Sequence, residues 1–191
     1  MTRLYRLLYR LSRWSVWVCG FAILASTFLI FFEVLLRNVD RAVYVGSAEI
    51  SGYVFAISIT WGFAFCVFER AHVRIDVVYR FVGARVRLAL DVLSLVALAV
   101  FAGALARRAT DTLDETLLFQ AVSTTPLQTP LWIPQALWAA GFIFFAGTCL
   151  FLILYILVLC LSGAPAREVF AAAGVEDEVA SSAPKPPAAR G

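Results

Sequence analysis

The sequence predicts an all-α integral membrane protein with four transmembrane helices. Apolar stretches at residues 14–36, 50–68, 88–106 and 132–161 can each cross a hydrocarbon core about 30 Å thick, which takes about 20 apolar residues in a helix. The 191-residue chain is 62% hydrophobic and only 15% charged, outside the range of globular domains. Between the stretches lie short loops, an amphipathic connector and a polar tail. No separate soluble domain is left for catalysis.

The arginines set the expected topology. Arg3, Arg6, Arg10 and Arg13 precede the first span, and Arg70, Arg74, Arg80, Arg85 and Arg87 lie between the second and third. The other two loops carry only Arg37 with Arg41, and Arg107 with Arg108. Short loops rich in Lys and Arg stay cytoplasmic, so both termini are expected there. The net charge of +3 thus reads as a membrane signal rather than a nucleic-acid footprint.

Residues 1–13 are expected to form an amphipathic helix in the membrane surface. Leu4, Leu7, Leu8 and Leu11 share one face, with the arginines mostly opposite and near anionic headgroups. A cleaved secretory leader has an apolar run of about 7–15 residues. The uncharged run 14–32 is longer and reads as an uncleaved span. That span ends in Glu33-Val-Leu-Leu-Arg37, an acid and a base one helical turn apart. Two readings stand: a snorkelling pair worth a few tenths of a kcal/mol, or a polar contact to a second membrane protein.

The second span opens at Glu49 and carries Ala48, Gly52, Ala56, Thr60 and Ala64 at four-residue spacing. Residues four apart share a helix face, and small side chains let backbones approach closely where lipid offers no hydrophobic drive. The stripe predicts a tight helix–helix seam and leaves the neighbour open. The densest polar cluster follows, Glu69-Arg-Ala-His-Val-Arg-Ile-Asp76, leading into Val77, Val78, Phe81 and Val82 with the spacing of an interfacial helix. His72, Arg74 and Asp76 are candidates for polar contacts within the bundle or to a partner; a topology signal is the plainer reading.

The third span, the least apolar, carries Asp91 near its inner end and is expected to continue as helix past the membrane to Phe119. Residues 123–130, with two prolines and several threonines, read as a stiff outer loop. Pro130-Leu-Trp-Ile-Pro134 introduces the fourth span, with Pro134 suited to a first helical turn and Trp132 to an aromatic belt. Residues 162–191 form a cytoplasmic tail rich in Ala, Pro, Ser and Glu, whose composition predicts disorder.

The common intramembrane chemistries lack their parts. Cys19, Cys66, Cys149 and Cys160 all lie in apolar segments and form no Cys-x-x-Cys pair, which disfavours a thiol oxidoreductase. His72 is the only histidine, too few for a bis-histidine haem. His72 with Asp76, among arginines, gives too few ligands for a metal. No His-Glu-x-x-His or Gly-x-Ser-x-Gly pattern occurs. No catalytic residue, metal or cofactor is expected.

In this order, Glu33-x-x-x-Arg37, Glu49, Ala-His-Val-Arg-Ile-Asp at 71–76 and Pro-Leu-Trp-Ile-Pro at 130–134 resemble the small permease subunit of the TRAP (tripartite ATP-independent periplasmic) transporters. The resemblance covers about residues 14–160, and His72-Val-Arg-Ile-Asp76 directly after the second span is its most specific piece. The chain departs at Tyr44-Val-Gly-Ser-Ala-Glu49, where the family often shows a Trp and a second acid. The resemblance implies a non-catalytic subunit in the bacterial inner membrane, scaffolding a large many-span permease. That permease takes up an organic anion, coupled usually to sodium, from a periplasmic binding protein. The expected partners are then those two proteins and membrane lipids, with no nucleic acid. Glu33, Arg37 and Glu49 would serve the periplasmic face and His72, Arg74 and Asp76 the cytoplasmic one. The alternative is an autonomous four-span transporter or channel acting as a homo-oligomer. A membrane enzyme would need a site built from Glu33, Glu49 and His72, and topology puts His72 opposite the two acids.

Overall fold

A computed structural model describes residues 2–39, 46–69 and 84–162. The connector with His72, Arg74 and Asp76, the interfacial helix expected at 77–82 and the tail beyond Ser162 lie outside the described residues. The described chain is almost entirely helical: α1 (Thr2–Val39), α2 (Ser47–Phe68), α3 (Ala84–Phe119) and α4 (Trp132–Leu161). Each is long and apolar enough to cross a membrane. The protein is therefore an all-α, multi-pass membrane protein.

Helix α1 is unbroken from Thr2 to Val39, so the basic segment at its start and the first span are one element. At about 1.5 Å per residue it is about 57 Å long, nearly twice the bilayer core. Helix α2 starts at Ser47 behind Gly46, whose φ of 76° lies in the left-handed region that a side chain resists. Helix α3 runs out to Phe119 and closes with a Schellman motif. Gln120 is left-handed at φ 46°; its N–H donates to the Leu117 carbonyl, and that of Ala121 to the Thr116 carbonyl at 3.1 Å.

The loop after α3 is a narrow hairpin. Leu131 N–H donates to Ala121 O at 3.1 Å and Ser123 N–H to Thr129 O at 2.9 Å, with a single bridge between Val122 and Pro130. At its tip Gln128 N–H returns to Thr125 O at 3.0 Å, with Pro126 at the corner where its fixed φ suits a turn. Pro130 then leads into α4, and Pro134 sits in its first turn, where a missing N–H costs nothing.

The chain forms two compact units, Met1–His72 with Leu98–Cys149, and Val73–Ala97 with Leu150–Gly191. In the first, α2 runs back along α1. Tyr5 and Tyr9 near the start of α1 meet Phe68 at the end of α2, with ring centroids 5.5 and 5.8 Å apart. Many of the buried side chains of this unit are small or aromatic, among them Thr60, Ala64, Ala102, Ala109, Ala139, Phe142, Phe145, Thr148 and Cys149. In the second unit Asp91, Leu152 and Ile156 are buried, Ser94 donates to the Asp91 carbonyl at 2.9 Å, and Phe151 stacks on Tyr155. Large apolar side chains stay exposed, Phe21 at 75% and Trp17 at 70% among them. A surface this apolar suits lipid, which solvates it as well as a protein core would.

Candidate functional site

Two carboxylates, Glu33 and Glu49, organise the polar groups around the start of α2. Glu33 lies nearly two turns before the end of α1 and is only 5% exposed. One oxygen takes the Arg37 guanidinium at 2.9 Å. The other accepts the backbone N–H of Ser47, the first residue of α2, at 2.7 Å. That N–H is one of the four that a helix start leaves without an internal partner, and Gly46, having no side chain, cannot serve it. The carboxylate also complements the positive end of the α2 dipole. Charge on both sides makes burial of this acid tolerable.

Glu49, in the first turn of α2, ties that helix to the hairpin after α3. Tyr53, one turn on, donates its hydroxyl to one oxygen at 2.8 Å. Thr125, at the tip of the hairpin, donates to the other oxygen, and the Ser123 hydroxyl lies 3.1 Å from that of Thr125. Leu127 closes over Gly46, against the point where any Cβ would stand.

Deeper in the unit, α2 and α4 are held by close backbone approach. A Cβ on Gly141 would come within 2.8 Å of Thr60 Cβ and 2.9 Å of Trp61 Cδ1. Trp61 donates its indole N–H to the Leu137 carbonyl at 3.0 Å and stacks on Phe144 with centroids 5.6 Å apart. Phe63 packs on Phe145 at 5.3 Å. At the opposite end of α2, Tyr9 donates to the Glu69 carboxylate at 2.8 Å.

The structure thus pairs Glu33 with Arg37 and gives Glu49 partners of its own chain. Trp132 stands at the start of α4, half exposed. The small-residue stripe divides: Thr60 and Ala64 are buried, Ala56 is intermediate, and Ala48 and Gly52 are exposed. His72, Arg74 and Asp76 fall outside the described residues. Sequence reasoning missed Ser47, Thr125, Leu127, Trp61 and Tyr9. The one local signal was Gly46, a glycine set directly before a helix start. Among the described residues no group of His, Cys, Asp and Glu is placed to hold a metal ion.

Four unbroken spans, with acids spent on helix junctions, define a multi-pass membrane protein. Residues 26–163 match the family model of the tripartite ATP-independent periplasmic transporters, DctQ component. The chain belongs to that family and is a small membrane subunit of a TRAP transporter. No curated protein and no solved structure matches it.

Proposed function

We propose that this subunit is a non-catalytic scaffold for a large many-span permease in the bacterial inner membrane. The permease carries an organic anion, delivered by a periplasmic binding protein, with a coupled ion, usually sodium. The family match over residues 26–163 carries this reading. Two features of the chain support it. Secondary transporters bind substrate at broken helices near the midplane, whereas α1–α4 are continuous. Moreover, the acids Glu33 and Glu49 already accept hydrogen bonds from their own chain, an arrangement suited to holding shape rather than passing ions.

The arginine distribution supports cytoplasmic termini, which sets the Glu33 and Glu49 junctions toward the periplasm and His72, Arg74 and Asp76 toward the cytoplasm. The latter three bond the connector to its own bundle or to the permease. Purification from the native membrane in mild detergent, with companions identified by mass spectrometry, tests the reading. Stoichiometric recovery of one large, many-span membrane protein is expected, and Arg74→Ala or Asp76→Ala lowers the amount recovered. A stable homo-oligomer without that companion overturns the scaffold.

A further inference from the structure

Helix α1 carries a cluster that the helix junctions do not use. Arg10, Arg13, Trp14 and Trp17 line a half-open recess of about 650 Å³, within the size range of small-ligand sites, about 300–1,000 Å³. Their spacing of three, four and seven residues puts them on one face of the helix. Neither guanidinium is ion-paired among the described residues, and both indoles are 70% exposed.

The level of this cluster in the membrane follows from the helix itself. The uncharged run 14–32 spans about 28 Å at about 1.5 Å per residue, close to the thickness of the hydrocarbon core. Arg13 and Glu33 therefore bracket that core. Arg10 and Arg13 stand at headgroup depth, with Trp14 and Trp17 just inside, where indoles settle. The same face continues inward through exposed Phe21, Leu24 and Phe28. A cationic pocket thus opens onto an apolar track that runs down the helix.

We propose that this face binds an anionic phospholipid. Its phosphate lies between the Arg10 and Arg13 guanidinia, its glycerol backbone against Trp14 and Trp17, and an acyl chain along Phe21, Leu24 and Phe28. A zwitterionic lipid offers the same chain but carries a choline or ethanolamine cation that two adjacent arginines repel. The site goes beyond the scaffold reading and does not depend on it.

The test counts phosphatidylglycerol and phosphatidylcholine retained by the full chain, purified with its companions after equilibration in nanodiscs containing both lipids. Arginines near an anionic surface contribute about fivefold each. Arg10→Gln with Arg13→Gln should lower the phosphatidylglycerol preference by more than tenfold, with Arg10→Lys/Arg13→Lys retaining most of it. Arg107→Gln with Arg108→Gln, which removes the same charge elsewhere, should leave the preference unchanged. An equal fall in that control, an unchanged preference in the glutamine pair, or displacement of the lipid by millimolar inorganic phosphate overturns the proposal. Should the glutamine pair fail to accumulate, salt decides on the unaltered protein. At about 1 M salt the Debye length shrinks to about 3 Å and the preference should fall severalfold; a salt-independent preference overturns the site.

Discussion

The side chain of Glu33 on α1 caps α2 through the backbone N–H of Ser47, at 2.7 Å across a separation of 14 residues. One helix thereby supplies the cap that the next lacks, since Gly46 makes no side-chain hydrogen bond to it. The bond fixes how α1 hands over to α2, and Arg37, half exposed to its surroundings, neutralises the acid at 2.9 Å.

Removing that carboxylate takes the acceptor from the buried Ser47 N–H. Glu33→Ala should destabilise the protein by about 1–3 kcal/mol, the usual cost of an orphaned buried polar group. Glu33→Gln keeps an acceptor for Ser47 and should lose less. Arg37→Ala should cost least, because water reaches that side chain. Melting curves in detergent give the order; an Arg37→Ala loss as large as that of Glu33→Ala would place the energy in the ion pair rather than the cap.

Gly46 answers for the same junction through its backbone. Its φ of 76° is a conformation that costs a side-chain-bearing residue about 1–2 kcal/mol. Leu127 also occupies the space a Cβ would need. Gly46→Ala should therefore destabilise by at least that amount. Leu127→Ala in the same background removes the clash and leaves the backbone cost, so the double variant should recover only part of the loss. Full recovery in a double-mutant cycle would mean that sterics alone demand the glycine.

The hairpin after α3 depends on Glu49. Thr125 donates to its carboxylate from the hairpin tip, and a hydrogen bond to a charged group is worth about 1.5–3 kcal/mol. Thr125→Val keeps the shape and removes the donor. Exchange of the Ser123 and Gln128 amides, both held inside the hairpin, should then quicken roughly tenfold to a hundredfold, while amides in the middle of α2 keep their rates. Unchanged hairpin amides would show that Pro126 and the backbone bonds hold the loop unaided.

The spans are legible in the sequence because apolar run length alone decides whether a helix can cross lipid. The bounds of α4 coincide with the fourth expected span, and α3 extends to Phe119, as its polar continuation implies. Helix α2 starts at Ser47, ahead of the expected 50, because its start is set by Gly46 and by a cap from Glu33. Local pattern cannot reveal such a cap. Glu49 meets Thr125, and Trp61 meets Leu137, each across 76 residues. The four-residue stripe shows that Thr60 and Ala64 share a face with Ala48 and Gly52. It carries no sign that only the Thr60–Ala64 end is buried, because periodicity identifies a face and not the length of its neighbour.

That buried end makes a last prediction, since close approach there rests on one glycine. A methyl group on Gly141 would press on Thr60 and Trp61, and both are held: Thr60 Oγ1 donates to Ile57 O at 2.9 Å, and Trp61 to Leu137 O at 3.0 Å. Neither can swing aside without losing its bond, so Gly141→Ala should force the helices apart at about 1–3 kcal/mol, the range for overpacked sites. Gly147→Ala, one helical stretch further along α4, meets nothing within 4 Å and should be neutral or slightly stabilising. Adding Thr60→Ala to the Gly141→Ala variant removes the nearest obstacle and should restore part of the loss, with Trp61 accounting for the remainder. Equal melting temperatures for the two glycine variants would show that α2 and α4 yield freely at this crossing.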